Sequence, residues 1–241
     1  GGGSILFGGD GWATTARLSA RSAGDVRTPE SRLRGTDLLS RDAQLGGVAK
    51  GGGFRVGASL SHLARSYGIP EAPDDPLEDV RIQMDRTALQ GRLSWDAENG
   101  DARVRGVEIR VQGARFHQVE LERAFAADGR LSEEAVDLEF HHQTASTTVT
   151  LRHGSWGPVE GGAIGVAGRH RELQVGGDDA FTPGVREGAL ALFAFQEVPL
   201  GAGVRLQVGG RSEFQRSRAL PNEAFPALDV SRRSHARSGS I

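Results

Sequence analysis

Histidines and acids are the residues of this chain that could bind a metal ion, and the chain has seven histidines. Imidazole nitrogens and carboxylate oxygens are the ligands that zinc and related ions take from proteins. The segment EAPDDPLED contains Asp74, Asp75, Glu78 and Asp79, which could attract a cation to a loop. A run of charge is also typical of an ordinary solvated loop, so both interpretations stay open.

A catalytic interpretation has weaker support from the sequence. The segment HHQTAS lacks the HExxH spacing of zinc proteases, and Ser155 in GSWGP lacks the G-x-S-x-G motif of a nucleophile. The loop acids Asp74, Asp75, Asp178 and Asp179, together with His142, could form the site of a small membrane-barrel protease, which is one alternative. Loop acids without an oriented base are common, so we expect no catalytic residue and no cofactor.

Composition excludes several classes of protein. The net charge of −2 gives no support for a nucleic-acid partner. Without cysteine, the chain has no disulfide, thiolate metal site or cysteine nucleophile. No run of about 18 apolar residues occurs, which excludes a transmembrane helix. The apolar fraction of 37% is low for a water-soluble chain of this length, and it suits a barrel whose lumen is polar.

Alternation of apolar and polar residues recurs along the chain and has the period of two that is typical of half-buried strands. In the segment VRGVEIRVQGA, apolar Val107, Ile109 and Val111 alternate with polar neighbours. Strands are predicted at 11–23, 38–50, 53–67, 79–96, 102–119, 136–153, 158–172, 184–198, 203–217 and 228–241. We expect short and long connections to alternate strictly, with the long ones at 24–37, 68–78, 120–135, 172–183 and 218–227.

These features predict an all-β chain, an antiparallel up-and-down transmembrane β-barrel with tight turns at one end and long loops at the other. The polar side of the strands would face the lumen, and its predicted members are Glu108, Arg110, Gln112, Arg205 and Gln207. His142 shares that side and is the candidate metal ligand. His62, His117, His141 and His170 fall on the lipid side, where we expect them near the headgroups.

Four segments, in this order, carry a resemblance to a known family: YGIP followed by an acidic loop and VRIQMDRTALQGRLSW; GSWGPVEGGAIGVAGRHRE; GDDAFTPGVREGALALFAFQEVPLG; and VRLQVGGRSEFQR. Over residues 10–220 the chain resembles the barrel of TonB-dependent outer-membrane receptors, with the zinc-receptor-like branch as the nearest likeness. The resemblance implies a plugged barrel of about 22 strands. It also implies uptake of a scarce solute, energised through a TonB complex that acts on a plug domain.

The chain departs from the family pattern in ways that shape our expectations. About ten strands are predicted, no TonB box is seen, and the loop after YGIP has no histidine. We expect residues 1–10 to be the candidate tail of a plug domain and residues 11–241 to form a partial barrel, a curved open sheet. The expected partners are outer-membrane lipid, a small solute such as a metal ion or metal chelate, and TonB through a plug outside this chain.

A soluble all-β interaction protein is the remaining alternative. It would be distinguished by its outward face, because a lipid-facing band carries no charge over about 25 Å and has aromatic residues at its margins. Trp12, Trp95 and Trp156 fall near the turn ends of predicted strands, and Tyr67 near a loop end. This placement favours the outer membrane as the location.

Overall fold

Long β-strands make up most of the protein, and the structure, a computed structural model, describes residues 1–70, 77–98 and 103–241. Strands account for 78% of it, and the described residues contain no helix, which confirms the all-β prediction. Consequently none of them belongs to a helix long and apolar enough to cross a membrane.

Eleven antiparallel strands follow one another in chain order across a single sheet. They are β1 (Gly2–Gly9), β2 (Trp12–Ala23), β3 (Leu38–Gly51), β4 (Phe54–Pro70), β5 (Glu78–Asp96), β6 (Val104–Phe125), β7 (Leu131–His153), β8 (Gly161–Gly176), β9 (Gly184–Gly201), β10 (Val204–Leu220) and β11 (Ser231–Ser240). The up-and-down order follows from the turns, because antiparallel neighbours can be joined by very short connections.

The open antiparallel sheet is confirmed, and its first and last strands lie at opposite edges. The sheet is uncurled, whereas we expected a curved wall. All ten predicted strands are present. The structure adds β1, so that most of the segment expected as a plug tail pairs with β2 instead.

The strict alternation of connection lengths is wrong. Strands β6 and β7 run for 22 and 23 residues, so the predicted loop at 120–135 shrinks to 126–130. The connection 154–160, at the opposite end of β7, is longer than that. At its loop end, the hairpin of β6 and β7 therefore extends several residues beyond the predicted strands 102–119 and 136–153.

The strand register sorts side chains into two faces of opposite polarity. One transverse row of directly paired residues crosses eight strands: Trp12, Ala49, Val56, Leu93, Ile109, Val149, Val166 and Leu192. Every member of this row is apolar. We call the side of the sheet that carries it the apolar face. The other side, which carries the alternate residues of each strand, is the polar face.

Within residues 1–70, 77–98 and 103–241, no second layer packs against this sheet. Among the described residues no large side chain is fully buried, and the buried apolar residues are only Ile82, Ala88, Leu121, Val175, Ala180 and Ala191. Many large apolar side chains are exposed instead, including Leu45, Leu89 and Leu192. A water-soluble domain normally buries such a face against another element.

The connection between β2 and β3 packs against the loop ends of β4 and β5. An added Cβ at Gly68 would lie 1.8 Å from the carbonyl oxygen of Gly35, so only glycine allows this approach. The Gly68 amide donates a hydrogen bond to the Asp37 carbonyl, and Arg81 donates two hydrogen bonds to the Asp37 carboxylate at 3.0 and 2.6 Å. These contacts hold the connection 24–37 against the loop ends of β4 and β5.

Candidate functional site

The apolar face carries a band without Asp, Glu, Lys or Arg. We call this the charge-free band, and it is read from the alternate residues of each strand. Its limits are 12–20 on β2, 43–51 on β3, 54–68 on β4, 87–95 on β5, 107–113 on β6, 143–151 on β7, 162–170 on β8, 188–198 on β9 and 206–214 on β10. Each stretch begins near the turn end of its strand, so the band is continuous across the sheet.

Aromatic side chains mark the turn-end margin of the band. Trp12 and Phe54 are about half exposed, and Trp156 is 72% exposed. Phe54 and Trp95 have ring centroids 6.4 Å apart on adjacent strands. Tyr67 lies at the loop end of β4, as predicted, but on the polar face, where it pairs with Ile82.

Strand β11 interrupts this pattern. Its residues on the apolar face include Arg233, His235 and Arg237, opposite Arg216, Phe214 and Ser212 of β10. Arg237 thus lies in the same transverse row as Leu192. The charge-free band ends with β10.

The polar face has the five residues that the sequence assigned to it, and they are paired with other polar groups. Arg92 and Arg110 both form ion pairs with the Glu108 carboxylate, and the Arg110 Nε to Glu108 Oε1 distance is 2.6 Å. Gln112 pairs across the strands with Gln90 and Ser146. The result is a set of ion pairs and polar neighbours on this side of the sheet.

Polar contacts on the same face continue near β10 with Arg205 and Gln207. Arg205 contacts Glu160 at 3.0 Å, and Gln207 donates a hydrogen bond of 2.8 Å to Glu197. A β-bulge between Val204 and Arg205 shifts the register there without moving these two side chains off the polar face.

Of the four acids predicted to attract a cation, the structure describes Glu78 and Asp79. Asp74 and Asp75 lie outside the described residues. Glu78 and Asp79 belong to β5 rather than to a loop. Asp79 is 5% exposed, and Arg123 donates hydrogen bonds of 2.7 Å to each of its carboxylate oxygens. That bidentate pair satisfies the charge of Asp79, so its prediction as a cation-capturing loop residue is corrected.

Another acidic group, made of Glu120, Asp137, Asp178 and Asp179, lies beyond the charge-free band, near the loop end of β6 and β7. The backbone amide of Asp179 donates to the Asp137 carbonyl at 2.9 Å, which holds the connection 177–183 against β7. Partial burial raises the pKa of Asp137, and the nearby carboxylates of Asp179 and Asp178 raise it further. Burial, Asp137 and Asp179 likewise raise the pKa of Glu120. The sequence reasoning missed Glu120 and Asp137 because a β-bulge next to Glu120 determines their position.

His142 lies on the polar face as predicted, between Phe116 and Leu173 in the register. It makes no hydrogen bond or ion pair with an acid among the described residues, and it belongs to no group of three metal-ligating side chains there. Its neighbours therefore support neither the metal role predicted for it nor the protease alternative that uses it.

One group of three potential ligands does occur in the described part of the chain, on the apolar face, and it consists of His117, Glu139 and His141. The sequence placed both histidines on this face but did not predict that they are neighbours. The two imidazole rings stack with centroids 4.3 Å apart and planes 11° apart. All three residues lie on the loop side of the charge-free band.

No protein-family model matches this chain, and no curated protein sequence matches it either. The resemblance to TonB-dependent receptors therefore stays a prediction that depends on the four segments quoted above.

Proposed function

We propose that strands β1 to β10 form part of the wall of an outer-membrane β-barrel, with the apolar face toward lipid and the polar face toward the lumen. The observation that carries this proposal is the charge-free band. On β9 the band covers 188–198, about 34 Å along a strand at roughly 3.4 Å per residue. At a tilt of about 40° the band would rise about 26 Å on β9 and about 16 Å on β6, where it is shortest; the apolar band of such barrels is about 25 Å tall.

The absence of a packed core among the described residues supports the same proposal. A soluble protein that exposed so continuous an apolar face would aggregate, because contiguous apolar patches on soluble monomers rarely exceed a few hundred square ångströms. Lipid covers such a face without a second protein layer, and the aromatic residues at the turn end suit the membrane interface. A soluble interaction protein would need a partner of comparable area.

The proposed biological role is that of a segment of a receptor that admits a scarce solute with energy supplied through TonB. The sequence resemblance supports this part of the proposal. A cation or a metal chelate is the favoured solute, because the acids Glu120, Asp137, Asp178 and Asp179 lie near one another at the loop end of the sheet. The ion pairs around Glu108 would line the lumen or contact a plug. In this role the chain binds and guides a solute and is not an enzyme.

The membrane part is tested by tryptophan fluorescence in vesicles, since Trp12, Trp95 and Trp156 are the three tryptophans of the chain. We expect phospholipids brominated near the headgroup to quench the emission more strongly than those brominated at the chain end. Equal quenching at all depths, or no binding to vesicles, would overturn the proposal. The transport part is tested in Gram-negative cells that express the complete reading frame containing this chain, because TonB acts on a plug outside it. Zinc accumulation that persists without TonB would overturn it.

A further inference from the structure

Two histidines and one glutamate converge at the top of the β6–β7 hairpin. His117 of β6 is directly opposite His141 of β7 in the register, and Glu139 lies two residues before His141, so all three project from the same face. The Nε2 atoms of His117 and His141 lie 2.8 and 3.0 Å from one oxygen, Oε1 of Glu139. Three potential ligand atoms therefore point at one small volume.

We propose that His117, Glu139 and His141 form a binding site for a divalent transition-metal ion of the zinc class. Two imidazoles and one carboxylate are a donor set that zinc takes in proteins, with a fourth position left for water or a ligand. The site is distinct from the solute path proposed above, because it lies on the opposite face of the wall. It depends only on the register of β6 and β7.

Two of the three ligand-to-ligand distances are already close to those of a metal site. Ligands bound to zinc at about 2.0–2.1 Å in tetrahedral geometry are about 3.3 Å from each other. The present nitrogen-to-oxygen distances of 2.8 and 3.0 Å would have to open by only a few tenths of an ångström. The two stacked imidazole rings must also tilt toward each other so that the metal lies in both ring planes, and both side chains are more than one third exposed.

A neighbouring acid would orient one ligand. Asp85 of β5 is opposite His117 in the register, and its Oδ2 lies 3.4 Å from His117 Nδ1. A carboxylate on the second ring nitrogen of a metal-bound histidine fixes the tautomer and raises the basicity of the ligating nitrogen. Asp85 is therefore a positioning residue, and His117 would bind the metal through Nε2.

Simple ion pairing among the same residues is the competing interpretation. In that case the carboxylate of Glu139 accepts hydrogen bonds from the two imidazoles and no metal is needed. The two interpretations differ in a measurable way, because ion pairing predicts no stoichiometric metal site. His142, which adjoins His141 in the chain but lies on the polar face, has no role in either interpretation and provides a control.

The test is titration of the folded chain, residues 1–241, in detergent micelles with Zn²⁺, in competition with a chromogenic chelator. Co²⁺ serves as a spectroscopic probe of four-coordinate geometry. We expect one metal per chain. Asp85→Asn should weaken binding by about 10- to 100-fold, and His141→Gln should weaken it more, because it removes a ligand. The matched control is His142→Gln, which should leave affinity unchanged.

Three outcomes would overturn the proposal. They are no stoichiometric binding by the original chain, undiminished binding by His141→Gln, and a loss in His142→Gln as large as the loss in His141→Gln. If His141→Gln does not fold, Glu139→Gln removes a carboxylate ligand while it keeps both imidazoles. Undiminished affinity in that variant would overturn the proposal equally.

Discussion

Substituting Leu89 with arginine tests whether the apolar face contacts lipid. Leu89 lies on the apolar face of β5 between Leu60 and Gly113, and it is 52% exposed. Its neighbour Gln90 is also exposed, but it projects from the polar face between Ser59 and Gln112. Gln90→Arg is therefore a matched control that adds the same side chain one residue away.

The expected magnitude follows from the depth of Leu89. It lies six residues from Trp95 at the turn-end margin, which is about 20 Å along the strand and about 15 Å in depth at a tilt of about 40°. That depth is about three quarters of the way across the band of β5, which covers 87–95. An arginine there should lower the free energy of unfolding by about 1–3 kcal/mol, between the values for the midplane and the interface. This corresponds to about a 5- to 160-fold change in the unfolding equilibrium.

The assay is denaturant unfolding of the full chain from lipid vesicles, followed by tryptophan emission. Gln90→Arg should change the free energy of unfolding by less than about 0.5 kcal/mol, as is usual for exposed sites. If the sheet were exposed to water on both faces, the two variants would behave alike. Equal stability of both, in a chain that stays dispersed without lipid, would refute the assignment of the apolar face to lipid.

Two further predictions concern the connection 24–37. Hydrogen bonds from Arg81 lower the pKa of Asp37 from its ordinary value of 3.8, so their contribution is present above that pH and is lost as the pH falls through the lower folded value. Asp37 is partly exposed, so solvent screening keeps this contribution below about 1 kcal/mol. In the original chain, the hydrogen-exchange protection of the Gly68 amide, corrected for intrinsic rates, should decrease when the pH falls below the lowered pKa of Asp37. The variant Arg81→Gln should show no such decrease. A decrease in both chains would contradict the role of the Arg81–Asp37 pair. Gly68→Ala should destabilise the chain by about 1–3 kcal/mol because its Cβ would overlap the Gly35 carbonyl. Gly188→Ala, with open space around its Cβ, should be nearly neutral in the same denaturant titration, and equal stability of the two variants would contradict the packing of this connection.

The faces of the sheet could be predicted from the sequence because side chains in a strand alternate with a period of two, whatever the neighbouring strand does. Glu108, Arg110 and Gln112 needed only this local rule, and they lie together on the polar face. Membership of a strand was predictable for the same reason. Asp79 shows where local reasoning fails: its acidic, proline-rich neighbours indicated a solvated residue that attracts a cation, but Arg123, 44 residues away, pairs with its carboxylate.

The neighbours across strands could not be predicted, because they depend on register. His117 and His141 were both placed on the apolar face, yet their contact requires the hairpin of β6 and β7 to turn at 126–130. A turn at another position would have matched His117 with a different residue of β7. The bulge next to Glu120 adds a second shift that no local pattern indicates. The alternation of side chains therefore predicts the face of the sheet on which a residue lies. Its neighbour on the adjacent strand is determined only by the position of the turn and of the bulges.

Strand β11 limits the extent of the wall that can contact lipid. It has Arg233 and Arg237 on the apolar face and Arg232 on the polar face, so neither of its sides could lie in hydrocarbon without a large cost in free energy. Arginines on an edge strand have a different physical effect, because they discourage pairing with another sheet edge. The opposite edge, β1, has Ile5 and Phe7 on the apolar face and no charged residue between Gly2 and Gly9. The lipid-facing wall that we propose therefore comprises β1 to β10, and β11 is a charged edge outside it.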